Sequence, residues 1–294
     1  MDLDIFLPTA QGLIEERLHA LIPSPSPVLY SALFVAARYA IFSGGKRLRP
    51  LLALASSYTF GAALEKALDP ACALECIHTY SLIHDDLPCM DNDNFRRGKP
   101  TLHRVFPEWH ALLTGDYLAT YAFEILAACR DLTDQEKIDL IHILSSRAGA
   151  HGMIGGQIID LLSEDRLIDP AVLQEMHANK TAALISASLE FGAIIAHASA
   201  QDRMLIKKCG MQIGIAFQIA DDILDASPQD AQKICCARSD EKDHKATAVS
   251  LLGEKEAYRY KDALLSESLS DLCALSKPAP LLKALFHKLV HRSN

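Results

Sequence analysis

A chain of 294 residues, half of them apolar, is long enough for one large core or two smaller ones. No Pro-, Gly- or Ser-rich stretch near the middle reads as a linker, so residues 1–294 are taken as a single domain. A net charge of −8 with no long basic block argues against a nucleic-acid surface or a polybasic membrane patch.

Acids stand in the first segment, "MDLDIFLPTA", where a signal peptide carries cations, and no uncharged run reaches the roughly 18 residues of a bilayer span. This predicts a cytoplasmic protein without a membrane span. Apolar residues then recur at spacings of three and four in "VLYSALFVAARYAIF" (28–42), "LLALASSYTF" (51–60), "ACALECIHTYSLIHDD" (71–86), "HALLTGDYLATYAFEILAAC" (110–129) and "MLIKKCGMQIGIAFQIADDILD" (204–225). Turn-forming clusters separate the runs: "PSPSP" at 23–27, "SGGKRLRP" at 43–50, "LIDP" at 167–170, "SPQD" at 227–230 and "SKPAP" at 276–280. The pattern predicts an all-α protein of about ten helices, and no strand. Residues 226–246 form the one long polar segment, of a length that serves as a functional lid or is disordered. The eight cysteines contain no C-x-x-C pair, and Cys72, Cys76, Cys129 and Cys209 fall in apolar helical patterns, as buried thiols do in a reducing compartment.

Two acid clusters end apolar helices: Asp85, Asp86 and Asp91 in "DDLPCMD", and Asp221, Asp222 and Asp225 in "DDILD". Asp221 and Asp225 lie one turn apart and share a face. Asp85 and Asp91 would diverge by roughly 240° on an ideal helix, and Pro88 interrupts that helix so that Asp91 swings back. Like charges at the negative ends of helix dipoles call for a cation. Hard carboxylate oxygens suit Mg²⁺, which shares its coordination with waters and substrate phosphates. A solvated acidic helix end would account for one such cluster, but two behind apolar helices are uncommon in a soluble chain. His84 has no second histidine at zinc-ligand spacing and is expected to pack or to support the neighbouring acids. The cations Lys46, Arg47 and Arg49 in "GGKRLRP", Arg96 and Arg97 in "NFRRGKP", Lys180 beside Thr181, and Lys245 suit phosphate oxygens. A ligand with a diphosphate head and a hydrocarbon tail would use the acids, the cations and the apolar interior together.

Taken in order from about residue 40 to 250, "GGKRLRP", "HTYSLIHDDLPCMDNDNFRRG", "GGQIIDL", "KTAALI" and "GIAFQIADDILD" resemble the motifs of the trans (E-type) isoprenyl diphosphate synthases, especially farnesyl and geranylgeranyl diphosphate synthases. The resemblance implies an isoprenoid synthase fold of antiparallel helices around a deep cavity, usually in a homodimer. It implies Mg²⁺, three ions per site with substrate bound and Mn²⁺ as an alternative, held by Asp85, Asp86, Asp91, Asp221 and Asp225. It assigns Arg96, Lys180, Thr181, Gln218 and Lys245 to an allylic diphosphate, and Lys46, Arg49, His78 and Arg97 to isopentenyl diphosphate. Gln218 could equally cap a buried helix contact. Two departures stand out: Cys235 replaces a substrate-binding lysine of the family, for which Lys233 two residues earlier would substitute if the loop shifts, and "HKATAV" keeps Lys245 and Thr247 without the usual flanking Gly and Pro. Tyr80 and Ser81, about one turn and a half before the first cluster, would limit the hydrocarbon tail and predict a C15 product, farnesyl diphosphate. A floor made by Tyr58 or Phe60, or a C20 product, is the alternative. A class I terpene cyclase would need no second diphosphate site, and a non-catalytic regulatory subunit would not need its carboxylates.

Overall fold

The computed structural model describes residues 1–166, 168–226 and 246–291. Lys233, Cys235 and Lys245 therefore lie outside the described residues. Fourteen helices run through the described chain: α1 (Leu3–Leu21), α2 (Ser31–Ile41), α3 (Leu48–Phe60), α4 (Leu68–Asp85), α5 (Leu102–Val105), α6 (Glu108–Ala128), α7 (Asp134–Ala148), α8 (Met153–Ser163), α9 (Pro170–His177), α10 (Ala183–Ile195), α11 (Ala200–Asp225), α12 (Ala248–Leu252), α13 (Glu254–Cys273) and α14 (Pro280–Val290). None is long and apolar enough to cross a membrane.

The apolar spacing explains the layering. In α1 the buried residues Phe6, Ala10, Ile14 and Leu18 repeat every fourth position, a single stripe on an outer helix. α10 is buried at every position except Glu190, as expected for a helix apolar all round, and it forms the centre against α3 and α11. α4 packs on α6, and α11 on α13. Local chemistry sets several starts. Thr133 and Glu136 close a capping box on α7, and Asp169 caps α9 with Pro170 at the first helical position, within the "LIDP" turn.

Two short features were not expected. Phe95–Arg96 and Lys99–Pro100 pair as a minimal antiparallel hairpin, contrary to the expectation of no strand. The signal is in its turn rather than its strands: Arg97 and Gly98 both take positive φ, 53° and 75°, as a two-residue hairpin loop requires. Between α9 and α10, residues Ala178–Ala182 form a π-turn. Cys72, Cys76, Cys129 and Cys209 are buried free thiols, as their helical spacing implied.

Candidate active site

α4 delivers the first acid cluster. The helix ends at Asp85, with Asp86 as its C-cap. The Asp91 amide then donates to the Asp85 carbonyl at 2.9 Å, which folds the "LPCM" segment back and returns Asp91 to the helix end. His84 packs edge-on to the Tyr80 ring at 5.7 Å, and its Nε2 lies 3.0 Å from the Leu112 carbonyl of α6, a packing role.

The hairpin sends its two arginines in different directions. Arg96 Nε donates to Asp86 Oδ1 at 2.7 Å, and Arg96 Nη2 lies 2.6 Å from the same oxygen. Arg97 reaches across to donate to the Gly44 carbonyl. Gly44 has φ 96°, which favours glycine, and a Cβ on Gly45 would run into the Arg97 guanidinium. The Gly-Gly bend thus makes room for an arginine supplied from 53 residues away.

Of the neighbouring cations, Arg47 departs from the phosphate-binding inventory. It is buried, with Nε 2.6 Å from Glu15 Oε1, Nη1 2.9 Å from Glu75 Oε1, and Nη2 donating to the Ile41 carbonyl at 2.7 Å. Its backbone is left-handed, φ 49°, at the start of α3; Lys46, Arg47 and Arg49 all border the cavity, but the Arg47 guanidinium is committed to these partners.

The second cluster ends α11. Asp222 is turned into the protein, where its carboxylate accepts from Gln218 Nε2 at 3.0 Å and from the Ala248 amide at 2.7 Å, with His177 Nε2 3.4 Å away. Gln218 in turn accepts from Thr181 Oγ1 at 2.8 Å, so it joins the helices as a buried contact and also lines the cavity. Thr181 and Lys180 sit in the π-turn, and Lys180 Nζ pairs with Asp160 of α8 at 2.5 Å. α8 approaches closely because Gly156 has no side chain; a Cβ there would overlap the backbone of Asn179 and Lys180. Gly156→Ala is therefore expected to destabilise the fold by about 1–3 kcal/mol and to lower kcat by displacing Lys180, read by melting temperature and by turnover.

One cavity of about 1590 Å³ joins these parts. Asp85 and Asp221 both line it, as do Lys46, Arg49, His78, Arg96, Arg97, Lys180, Thr181 and Gln218, with Tyr80 and Ser81 on the α4 wall. Asp86, Asp91 and Asp225 stand at the same helix ends but outside the lining. Tyr58 and Phe60 are also outside it, so neither forms its floor. Burial, reinforced by Asp91 and Asp86 and opposed by Lys180, pushes the Asp85 carboxyl up to about 6. Burial and the adjacent Arg49 and Arg97 hold His78 well below the usual imidazole range, keeping it neutral. Asp85 is thus disfavoured as an anion by burial and by Asp91 and Asp86, while burial and Arg97 disfavour the Arg49 charge, two costs that a cation and an anion bound side by side would relieve.

Three contributors were missed in the sequence: Glu75 on α4, Asp160 holding Lys180, and the α8 wall of Ile154, Gln157 and Ile158. "GGQIIDL" was legible as a motif, but the pairing of Asp160 with Lys180 spans 20 residues and has no local signature.

A model of the family described as polyprenyl synthetase matches residues 31–274. Among curated relatives, a geranylgeranyl diphosphate synthase of Cyanophora paradoxa is 38% identical over 293 residues, 98% of this chain and 96% of the relative. A farnesyl diphosphate synthase of Escherichia coli strain K12 is 38% identical over 276 residues, 92% of each chain. Among solved structures, a geranyltransferase of Helicobacter pylori complexed with magnesium and isoprenyl diphosphate superposes with a TM-score of 0.82 at 35% identity, covering 97% of this chain and 96% of that one.

Proposed function

The chain belongs to the polyprenyl synthetase family, and from that premise we propose that it condenses isopentenyl diphosphate head to tail with dimethylallyl and then geranyl diphosphate, stopping at farnesyl diphosphate. The fold is the all-α fold of the isoprenoid synthases, and the activity is trans-prenyl transfer. The observation that carries the finer reading is one cavity lined by Asp85 and Asp221, by the cations Lys46, Arg49, Arg96, Arg97 and Lys180, and by Tyr80.

The carboxylates of Asp85, Asp86, Asp91, Asp221 and Asp225 would hold Mg²⁺. They are hard oxygen donors, and the raised Asp85 carboxyl marks a site that a cation would relieve. Among the described residues no three His, Cys, Asp or Glu side chains form a closed cage, which suits an ion that completes its shell with diphosphate oxygens and water. When bound, Mg²⁺ supplies Lewis-acid stabilisation of the departing diphosphate.

Arg96 and Lys180 would add positive charge to the allylic diphosphate as its C–O bond breaks. Each is already paired, with Asp86 and Asp160, so its position is fixed before substrate arrives. A unit pair at 4 Å is worth about 1 kcal/mol in water but roughly 4 kcal/mol at an effective dielectric of 20, so excluding water from this end multiplies the effect. Thr181 and Gln218 present oxygen dipoles to the allylic cation. Lys46, Arg49, His78 and Arg97 would hold isopentenyl diphosphate with its double bond facing that cation, supplying proximity. The departing diphosphate takes the proton lost from the new C–C adduct. Two cation sets favour this reading over a single-substrate cyclase, and a cavity lined by acids of both clusters favours it over a non-catalytic subunit. Exposed Leu29, Tyr30 and Val35 on and before α2, with Trp109, Leu112 and Leu113 on the adjacent α6, support a homodimer.

The test is a product assay. Purified protein with Mg²⁺ and labelled isopentenyl diphosphate is given dimethylallyl, geranyl or farnesyl diphosphate, and the dephosphorylated products are separated by chromatography. Farnesol from the first two starters is expected; geranylgeraniol would make it a C20 enzyme, and no elongated product would overturn the reading.

A further inference from the structure

Glu75 is the one acidic side chain on the isopentenyl diphosphate side of the cavity for which the roles above give no account. It lies on α4 one turn before His78, is only 2% exposed, and contributes to the cavity wall. Its Oε1 accepts from Arg47 Nη1 at 2.9 Å, whereas its Oε2 is buried and has no hydrogen-bond partner. Arg47 does not satisfy the second oxygen: its Nε–H and both Nη2 hydrogens go to Glu15 and the Ile41 carbonyl, and its Nη1 contact is with Oε1 alone. On the same wall, Arg49 Nε is likewise buried without a partner. A buried orphan acceptor and a buried orphan donor on one wall each call for an explanation.

We propose that Glu75 is a positioning residue for Arg49: when isopentenyl diphosphate enters, Arg49 Nε–H closes onto Glu75 Oε2 and its two terminal NH₂ groups are aimed at the diphosphate. The inference rests on the assignment of that substrate to Arg49 under the proposed function. A guanidinium is a planar fork, so anchoring its Nε–H fixes the direction of both terminal groups and presents them for bidentate contact. A carboxylate this close to a diphosphate repels it, so charge alone would favour its absence; its value is geometric. Burial chiefly disfavours the Arg49 charge, Glu75 supports it and Arg97 opposes it, and Arg49 Nε and Glu75 Oε2 stand unpaired without ligand. An arriving diphosphate supplies the negative charge that offsets both the burial of Arg49 and its repulsion from Arg97, and lets the fork settle.

The decisive measurement is the KM for isopentenyl diphosphate at saturating geranyl diphosphate. Glu75→Gln keeps an acceptor for Arg47 and is expected to raise that KM about tenfold, with kcat within about twofold and the KM for geranyl diphosphate unchanged. Glu15→Gln loosens Arg47 without touching Glu75 and is expected to leave all three unchanged. Adding Glu75→Gln to Arg49→Lys, which has no Nε–H fork, is expected to change the KM by less than about twofold. An unchanged or lowered KM in the single variant, or the full tenfold rise on the lysine background, overturns the proposal.

A second readout needs no Glu75 variant. In wild-type protein labelled with ¹⁵N-arginine, the Arg49 Nε–H peak, assigned by its loss in Arg49→Lys, is expected to shift and resist solvent exchange when isopentenyl diphosphate is added. A peak that stays unshifted and unprotected overturns the proposal even if Glu75→Gln does not fold. Wild-type protein that fails to elongate geranyl diphosphate while the peak still responds would remove the proposed function and keep Glu75's role. Normal elongation with a silent peak would do the reverse.

Discussion

Replacing Asp85 with asparagine is expected to lower turnover by roughly a thousandfold and, in the absence of divalent metal, to raise the melting temperature. The first effect follows from removing a carboxylate from the cavity end where the leaving group gathers charge. The second follows from the sign of the Asp85 shift. Its carboxyl is pushed from an ordinary 3.8 up to about 6, chiefly by burial and secondarily by Asp91 and Asp86. A raised carboxyl contributes stability that is present below the unfolded value and lost as pH rises through the folded one, so at pH 7.5 the ionised side chain is a net cost. A shift of about two units corresponds to roughly 3 kcal/mol at most, and access of solvent through the cavity brings the figure nearer 1–2 kcal/mol, or a few degrees. Asparagine cannot ionise and avoids that cost. Scanning calorimetry with EDTA at pH 7.5 and pH 5 checks it: the gain is expected at pH 7.5 and is expected to shrink at pH 5. Mg²⁺ should then raise the melting temperature of the wild type more than that of the variant. A variant less stable than wild type at pH 7.5 in EDTA would show that Asp85 does not carry this strain.

The same carboxylates explain what was legible in the sequence. An apolar helix that ends in two adjacent aspartates, followed by a proline, states its own chemistry locally: the repeat sets the helix, and the charges mark its end. Pro88 predicted the return of Asp91, and the hydrogen bond from Asp91 to the Asp85 carbonyl accomplishes it. Arg47 and Arg49 show the limit. They are two residues apart in one motif and both border the cavity, yet the guanidinium of the first is taken up by Glu15 and Glu75, 32 and 28 residues away, while the Nε of the second has no partner. That division depends on tertiary partners and on a left-handed backbone at an arginine, neither of which composition or periodicity records. The hairpin was missed for a related reason. Its strands are too short to alternate, so the only signal was a residue-glycine turn, and its function is to aim Arg96 at Asp86 and Arg97 at the Gly44 carbonyl.

Tyr80→Ala is expected to move the main product from C15 to C20 or longer while leaving the rate of the first condensation within a few-fold. Tyr80 lies five residues before Asp85 on α4, roughly 7.5 Å along the helix at 1.5 Å per residue, so under the proposed C15 reading it would meet the tail and not the reacting carbons. Its ring is 9% exposed, lines the cavity and is braced edge-on by His84. One methylene in a filled pocket is worth about 1–3 kcal/mol, so refusing a further five-carbon unit is within the reach of one braced ring. Under that reading, removing it would take away the barrier to the next condensation without altering the ends that react. Tyr80→Phe keeps the ring and should keep the C15 product, which separates bulk from the hydroxyl. Chromatography of the dephosphorylated products from geranyl diphosphate reads both variants. If the alanine variant still stops at C15, the limit lies elsewhere on the cavity wall, where Leu112 of α6 and Ile158 of α8 become the residues to change.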